Sequence, residues 1–387
     1  MKRDHKPTVL IIHNRYRQRG GEDTVVENEI QLLEEHGHRV FLYERDNSEA
    51  FLPLSIFFNL RAYIDVQRII RSRRIDIVHV HNTWMVVSPS VFYAAVRMGV
   101  PVVQTLHNFR MICPDALLYR HGAVCEECIN KGLQTAVKYR CYRGSGLFSL
   151  ACALTNAVHR RTGIYRKISF ICLSEFNREK ILQINKGGRV LIEPSRVFVK
   201  PNFMWKSNGI RTEWQSRKGF IFAGRLTEEK GIKVLIKAWA LMGERAPKLS
   251  IYGAGELNEW CERVIAKRGL NISMKGETDH DTLMAAMGRS AALIFPSLWY
   301  EGFPMTVIEA FSAGTPVIAS DMGNGKQFVE NGRNGLLFST GSARDLAIAV
   351  RDIAEGRIVF SEGDIEIPKI CTPEENYSIL REIYEKA

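Results

Sequence analysis

The sequence predicts an α/β protein of two doubly wound domains, each a parallel sheet with helices on both faces. The first observation is the length of 387 residues, which exceeds the usual size of one domain. The second is that short apolar runs alternate with amphipathic segments, and the third is that this alternation restarts beyond residue 200. No repeat with a period of roughly 20–50 residues and no low-complexity tract occurs, which excludes solenoids and predominant disorder.

Unbroken runs rich in Val, Ile and Phe predict the strands, because strands buried on both faces have this pattern. In the first half they are Thr8–His13, Val40–Tyr43, Ile75–Val80, Val100–Leu106 and Ile168–Leu173. In the second half they are Gly219–Ala223, Lys248–Tyr252, Ile272–Met274, Ala292–Phe295, Pro316–Ala319 and Gly335–Phe338. Apolar residues at helical spacing predict helices at Asp23–His36, Ile232–Leu241, Leu257–Arg268, Asp281–Arg289, Thr306–Ala313 and Ala343–Ala354.

A hinge between the halves is predicted at Lys200–Phe203, followed by a polar loop over Lys206–Lys218. In doubly wound sheets ligands bind beyond the carboxyl ends of the strands. We therefore expect both domains to point functional loops into a cleft between them.

The most informative motif is Trp299–Ala310, which follows the strand Ala292–Phe295 and opens a helix. Pro304 suits the first helical turn, where its missing N–H is not needed, and the amides beside it can meet a phosphate. Glu301 precedes the helix and Glu309 lies within it, so their carboxylates can contact different hydroxyls of one extended ligand. The alternative is that Glu301 caps the helix and Glu309 faces solvent.

Two other segments also follow strands of the second half. In Gly224–Gly231 (GRLTEEKG), Arg225 and Lys230 can place a guanidinium and an ammonium around a diphosphate, although a solvated charged turn is the alternative. The segment Ile251–Glu256 (IYGAGE) contains a Gly-x-Gly that lacks the third glycine of a dinucleotide fingerprint.

Taken together, these motifs resemble those of the retaining GT-B glycosyltransferases of glycosyltransferase family 4, of the bacterial surface-polysaccharide type. The resemblance extends through the first half at Arg19–Asp23, Asp76–Asn82 (DIVHVHN), Thr105–His107 and Leu173–Phe176. It implies an acceptor-side domain over residues 1–200 and a nucleotide-sugar-binding domain over 201–372. A final helix over 373–387 would cross back onto the first domain.

The resemblance also implies which residues bind the donor, a UDP- or GDP-sugar. Arg225 and Lys230 would hold its diphosphate and offset the charge that develops on leaving. Glu309 would accept hydrogen bonds from the ribose hydroxyls, and Glu301 would contact hydroxyls of the transferred sugar. The other implied donor-binding residues are Gly302, Phe303, Pro304, Met305 and Thr306 beside Glu301, Met274 and Lys275 near the base, and Gly20 and Gly21 beside the phosphates, where a Cβ would clash.

His107 matches the family histidine beside the anomeric centre, and with Glu301, Arg225 and Lys230 it forms the implied catalytic set; a core histidine is the alternative. On the acceptor side the implied residues are Asn82, Ser174 and Asn202. The family transfers the sugar with retention, the departing phosphate taking the proton of the acceptor. No cofactor is implied for this chemistry, and no Asp-x-Asp motif for a metal follows a strand.

Half of the eight cysteines lie in an insert of the first domain, over about 108–145, with the spacing C-x11-C-x2-C-x12-C. These four, Cys113, Cys125, Cys128 and Cys141, suggest a structural zinc, although the outer spacings differ from those of a standard finger. The other four are predicted to be buried thiols because their surroundings are apolar: Cys152, Cys172, Cys261 and Cys371.

Positive charge is concentrated in the first half, where residues 1–200 carry 30 Lys and Arg against 18 Asp and Glu; the rest carry 23 against 24. This predicts an anionic partner. The apolar run Phe51–Leu60 precedes a helix with five arginines, and the apolar segment Ser145–Val158 precedes a basic cluster at 159–161. Both segments suit an anionic bilayer or a domain core; the core is favoured for Ser145–Val158, and the alternatives are even for Phe51–Arg74.

No signal peptide is predicted, and the longest stretch without charged residues, Ile77–Val96, contains too many polar residues to span a membrane. We therefore expect a cytoplasmic enzyme, peripheral on the inner face of the membrane, with a polyprenyl-diphosphate-linked saccharide as acceptor. The alternatives are an inactive GT-B scaffold and a protein that binds nucleic acid or other anions. No nucleic-acid-binding module is found, and neither are the catalytic carboxylates of an epimerase or the pyridoxal lysine of a phosphorylase.

Overall fold

A computed structural model describes residues 6–15, 20–49, 53–186, 189–205 and 213–387, which form two compact units. The first unit comprises residues 1–117, 126–203 and 373–387, and the second comprises 118–125 and 204–372. Residues 118–125 belong to the cysteine-containing insert, and the sequence did not predict that they group with the second unit.

The elements up to residue 203 are β1 (Val9–Arg15), α1 (Gly21–Glu35), β2 (Val40–Asp46), α2 (Leu60–Arg73), β3 (Ile77–Val80), α3 (Ser90–Arg97), β4 (Val102–Leu106), β5 (Tyr119–Arg120), β6 (Ala123–Val124), α4 (Glu127–Lys131), α5 (Gln134–Lys138), α6 (Gly146–Thr162), β7 (Ser169–Cys172), α7 (Glu175–Leu182) and β8 (Val197–Val199). The later elements are β9 (Phe220–Ala223), α8 (Ile232–Met242), β10 (Leu249–Tyr252), α9 (Asn258–Arg268), β11 (Ile272–Gly276), α10 (His280–Arg289), β12 (Ala292–Phe295), α11 (Met305–Ser312), β13 (Val317–Ser320), α12 (Gly323–Phe328), β14 (Gly335–Phe338), α13 (Ala343–Ala354) and α14 (Pro373–Lys386).

Each unit is built on a parallel sheet that has six strands within the described residues. The strand order is β2-β1-β3-β4-β7-β8 in the first unit and β11-β10-β9-β12-β13-β14 in the second. In each sheet the first strand of the unit, β1 or β9, has strands that follow it in sequence on both of its sides. This reversal of strand order is typical of doubly wound folds. The predicted fold class is therefore confirmed. The sequence missed β8 and the antiparallel hairpin β5–β6, because strands of two or three residues are too short to show a pattern.

The C-terminal helix α14 groups with the first unit. Its residues Leu380 and Ile383 are buried in one cluster with Val9 and Ile11 of β1. A polar contact adds to this packing, since the hydroxyl of Tyr384 lies 2.8 Å from Nδ1 of His79. Helix α14 thus adds to the core of the first unit.

Helix α6 corrects the expectation that Ser145–Val158 is a core helix. The helix buries small and polar side chains, among them Ser149 and Cys152, whereas Leu147 is 76% exposed. The large apolar side chains that it exposes are Leu147, Phe148, Leu150, Leu154 and Val158. No helix within the described residues is long and apolar enough to cross a membrane.

Candidate functional site

Three loops of the second unit meet where β9, β10 and β12 end. The amide of Leu226 donates to the carbonyl of Ala254 at 2.9 Å, which joins GRLTEEKG to IYGAGE. Two glycines permit this close approach. At Gly231 φ is +75°, and an added Cβ would lie 1.8 Å from the carbonyl oxygen of Pro296. At Gly253 φ is +115°, and an added Cβ would lie 2.1 Å from the carbonyl oxygen of Gly224. The Gly-x-Gly therefore serves loop packing within the protein itself.

The centre of this edge is an ion pair between Lys230 and Glu301. Nζ of Lys230 lies 2.7 and 2.9 Å from the two carboxylate oxygens, and Oγ of Ser297 donates to one of them at 2.6 Å. Burial opposes ionisation of Glu301, but Lys230 and the hydrogen bonds hold its pKa below the ordinary value. The carboxylate is committed to Lys230 and Ser297, so the alternative in which it caps α11 is wrong. The sequence predicted both residues but not that they pair.

Asn324 is a residue of this site that sequence reasoning missed. Its side chain is buried, and Nδ2 donates to the carbonyls of Glu301 at 2.7 Å and of Gly302 at 3.0 Å. These bonds hold the loop that precedes α11. The asparagine follows β13, far along the chain from Glu301, and belongs to no motif that could have identified it.

The other predicted donor-binding residues differ in exposure. The side chain of Arg225 is 64% exposed, 3.5 Å from the carboxylate of Glu229, and is thus accessible to a ligand. The side chain of Glu309 is only 16% exposed, and desolvation raises its pKa, so it is not the solvated residue of the alternative interpretation. Lys275 is exposed on β11.

The start of α11 differs partly from the expectation of free amides. The amide of Met305 donates to the carbonyl of Phe303 at 3.0 Å, and that of Val307 donates to Pro304 at 2.9 Å. Pro304 itself is the residue before the helix. Of the remaining predicted residues here, Thr306 is half-buried on α11, and Met274 packs against the core from β11.

In the first unit, the predicted His107 is the outermost of three stacked histidines. Its Nε2 lies 3.0 Å from Nδ1 of His81, with ring centroids 5.3 Å apart, and His81 stacks on His79 at 4.6 Å. His107 is partly exposed, whereas the other two are buried. His81 and His107 both line a cavity of about 60 Å³ in this unit.

A buried carboxylate lies behind these rings. One oxygen of Glu29, on α1, is 2.9 Å from Nδ1 of His79 and 3.2 Å from Nε2 of His81. The other oxygen is 2.7 Å from Nζ of Lys200. Burial opposes ionisation, but these cations and donors hold the pKa of Glu29 well below its ordinary value. Both histidines lie in the segment DIVHVHN, which the sequence analysis identified. Glu29 was missed, because in the sequence it resembles any charged residue of a helix.

The glycine loop precedes α1, and Arg19 of that motif lies outside the described residues. Asp23 holds the loop, since one carboxylate oxygen accepts from the amide of Gly20 at 2.8 Å and the other is 2.8 Å from Nε2 of His13. Among the described residues, leaving out the chain neighbours and the backbone of α1 itself, no atom lies within 4 Å of a Cβ added at Gly20 or Gly21. Packing among the described residues therefore does not demand glycine at either position, and the expected clash with a ligand stays a prediction. Burial and the charge of Asp23 raise the pKa of Glu22 to about 8.

The three predicted acceptor-side residues are buried. Asn82 is engaged in the fold, donating to the carbonyl of Asn14 at 2.9 Å and accepting from the amide of Trp84 at 2.8 Å. Ser174 caps α7 by accepting from the amide of Asn177. Asn202 has a buried Oδ1 without a hydrogen-bond partner within the described residues.

The structure does not show the zinc site predicted at the four insert cysteines. Within the described residues, one group of three side chains has ligand atoms close enough to share a metal, and it is Glu29, His79 and His81. Cys113 and Cys128 are buried, Cys125 and Cys141 are half-buried, and all four are free thiols. The other four cysteines are buried as predicted.

Comparisons with known proteins agree with this architecture. Residues 3–167 match the family described as glycosyl transferase 4-like domain, and residues 208–362 match glycosyl transferases group 1. The chain is therefore a two-domain protein of the GT-B fold that carries these two glycosyl transferase domains in this order.

Individual relatives are distant. Glycogen synthase of Mycobacterium tuberculosis is 25% identical over 289 residues, which are 74% of this chain and 61% of that protein, less than two thirds of its length. Among solved structures, the lipopolysaccharide outer core galactosyltransferase WaaB in its apo form matches with a TM-score of 0.68 and 17% identity, covering 98% of this chain and 100% of the other. Anabaena Alr3699/HepE in complex with UDP-glucose matches with a TM-score of 0.61 and 16% identity, covering 98% and 99%. These structural likenesses establish the fold.

Proposed function

We propose that this protein transfers a sugar from a nucleoside-diphosphate sugar to a hydroxyl of a saccharide acceptor, with retention of anomeric configuration. The observation that carries the proposal is the Lys230–Glu301 pair, held by Ser297 and Asn324 at the carboxyl edge of the second sheet. This edge is where doubly wound domains bind nucleotides, and it lies in the domain that matches glycosyl transferases group 1. A UDP- or GDP-sugar is the proposed donor; the fold likeness to a complex with UDP-glucose supports the first of these.

Donor binding would redistribute the charges of the site. We assign the diphosphate to Arg225, which is accessible, and to Lys230, whose ammonium can bridge a phosphate and Glu301. Glu301 then accepts hydrogen bonds from the transferred sugar, and Glu309 from the ribose. As the glycosidic bond breaks, negative charge grows on the leaving diphosphate, and the two cations stabilise it. The same phosphate takes the proton of the acceptor hydroxyl.

In the first unit we assign the anomeric region to His107 and the phosphates to Gly20 and Gly21. The raised pKa of Glu22 supports the second assignment, because a carboxyl that is neutral at neutral pH does not repel an anion. A structural zinc at the insert cysteines stays a prediction from the sequence and has no part in the binding of the donor.

We further propose a polyprenyl-diphosphate-linked saccharide of a surface polysaccharide as acceptor, and peripheral binding of the first unit to an anionic membrane. Eight exposed side chains of this unit form what we call the apolar patch: Leu147, Phe148, Leu150, Leu154 and Val158 of α6, with Phe58, Leu60 and Ile64 at α2. The two groups adjoin, because Nε2 of His159 lies 3.0 Å from the carbonyl of Phe57. An anionic bilayer is favoured over a neutral surface for two reasons. Helix α2 exposes Arg61 and Arg68, and α6 contains no acidic residue.

Nucleotide binding tests the donor site directly. Thermal shifts with UDP, GDP, ADP and dTDP are expected to reveal one preferred base. The shift should disappear in Arg225→Ala/Lys230→Ala and in Arg225→Ala alone, which leaves the buried pair intact. Lys233→Ala is the matched control, because this exposed lysine of α8 pairs with Glu228 of the loop after β9, at 3.0 Å. A folded protein that responds to no nucleotide would refute the proposal and favour an inactive scaffold.

A further inference from the structure

The buried polar group behind His107 has no part in the function proposed so far. Glu29, His79 and His81 are each at most 3% exposed, and Lys200 is 1% exposed. Burying an ionised carboxylate is unfavourable unless partners compensate. Here Nζ of Lys200 lies 2.7 Å from one oxygen of Glu29. The other oxygen lies 2.9 Å from Nδ1 of His79 and 3.2 Å from Nε2 of His81, without hydrogen-bond geometry. A group of this kind also constrains where protons can reside.

The proton positions follow from the outer end of the group. Glu29 is ionised and can only accept hydrogen bonds. Nε2 of His81 faces that carboxylate at 3.2 Å without hydrogen-bond geometry. A protonated nitrogen is attracted to the anion there, whereas a bare lone pair would be repelled, so we place the proton of His81 on Nε2. Burial lowers the pKa of His81 to about 4, so the ring is neutral at neutral pH and its Nδ1 carries none. That nitrogen accepts a hydrogen bond, and the atom facing it at 3.0 Å is Nε2 of His107.

We propose that Glu29 and His81 are positioning residues that hold His107 as a neutral imidazole protonated at Nε2, leaving its Nδ1 as an acceptor. The inference rests on the proposed function in one respect, namely that His107 contacts the transferred sugar. Nδ1 of a ring held this way accepts a hydrogen bond from a hydroxyl of the ligand, whereas Nδ1 of the opposite tautomer would donate one. The stacking of His107 on His81 fixes the plane of the ring as well.

The charges of the group balance without a bound ion. Lys200 supplies the cation, 2.7 Å from Glu29 and 2.9 Å from Oδ1 of Asn376 on α14. Glu29, His79 and His81 are close enough to share a metal. An ammonium this close to the carboxylate would repel a divalent ion, so we assign the three side chains to proton positioning.

Nitrogen-15 NMR of protein labelled at histidine reads the tautomer without any substrate. His107→Gln identifies the signal of His107 by its loss. In the wild type at neutral pH, the expected signal is that of a neutral ring protonated at Nε2. His81→Phe keeps a stacked ring but removes the acceptor and should yield mixed tautomers, whereas His81→Asn retains an acceptor in the place of Nδ1 and should preserve the wild-type form.

Kinetics supply the second measurement. We expect His81→Phe and Glu29→Gln to lower kcat about tenfold or more with little change in the KM of the donor, and His81→Asn to recover much of the loss. The inference would be overturned if His107 of the wild type were protonated at Nδ1, or if its tautomer were unchanged in His81→Phe. If His81→Phe does not fold, the spectra of the wild type and of His81→Asn decide the question. If the protein shows the predicted tautomer but has no transferase activity, the proposed function alone is refuted.

Discussion

Lys230 and Glu301 join the loop after β9 to the loop after β12 through two contacts of 2.7 and 2.9 Å. The pair is largely shielded from water, since the side chains are 20% and 8% exposed. A charge left alone in such a place is strongly unfavourable, whereas removing both charges is much less so.

We therefore expect Lys230→Met to lower the free energy of unfolding by about 3 kcal/mol. Lys230→Met/Glu301→Gln should regain part of that loss, because the remaining amide is neutral. Urea denaturation of the two variants and of Glu301→Gln completes the cycle. Strictly additive losses would show that the two residues are not coupled.

The contact of Gly231 with Pro296 predicts a large effect of one methyl group. Gly231→Ala places a Cβ 1.8 Å from a backbone oxygen and also demands a positive φ of +75° from alanine. We expect a loss of more than about 2 kcal/mol, measured by urea denaturation. Gly269→Ala is the control, because φ is +57° there but an added Cβ meets no contact within 4 Å in the described part of the chain, and a loss of about 1 kcal/mol is expected. Equal losses would contradict the close approach of the two loops.

Buried histidines predict loss of stability in acid. Burial lowers the pKa of His159 from 6.5 to about 4, so below pH 6.5 the unfolded chain binds a proton that the folded protein refuses. Stability is thus present above the unfolded pKa and lost as the pH falls, by about 2 kcal/mol for this residue at about pH 5.

Denaturation is measured at several pH values from about pH 7.5 to about pH 5. The free energy of unfolding should fall less over this range for His159→Asn than for the wild type. His121→Asn is the control, since His121 is exposed and has a positive φ of +52° that asparagine tolerates. The same pH dependence in all three proteins would contradict the prediction.

The apolar patch predicts binding to vesicles. Wild-type protein should sediment with vesicles that contain phosphatidylglycerol and much less with phosphatidylcholine alone, and added salt should weaken the binding. Leu147→Ser/Leu154→Ser should reduce the bound fraction about tenfold. Leu241→Ser replaces an exposed leucine outside the apolar patch, 58% exposed on α8 of the second unit, and should have no effect. Binding that survives the double substitution would refute this surface as the membrane contact.

The helices and strands were largely predictable because their signals are local. Unbroken apolar runs predicted the core strands, and Ala292–Phe295, Gly335–Phe338 and Ala343–Ala354 have the predicted bounds. Helix α6 was less predictable, because an apolar segment does not reveal which of its faces is buried. Only the packing shows that small residues such as Ser149 face inward while Leu147 faces water.

The sequence by itself determined the fold class and motifs that match known glycosyl transferase domains, because spacing along the chain encodes both. Tertiary structure alone decided which charges meet. Glu29 and Lys200 are 171 positions apart, yet 2.7 Å separates their charged atoms. Lys230 finds Glu301 across 71 positions, and Asn324 holds the same loop from a different strand end. Such pairings depend on the order of strands in a sheet, which brings distant loops to one edge, and no local pattern of residues records that order.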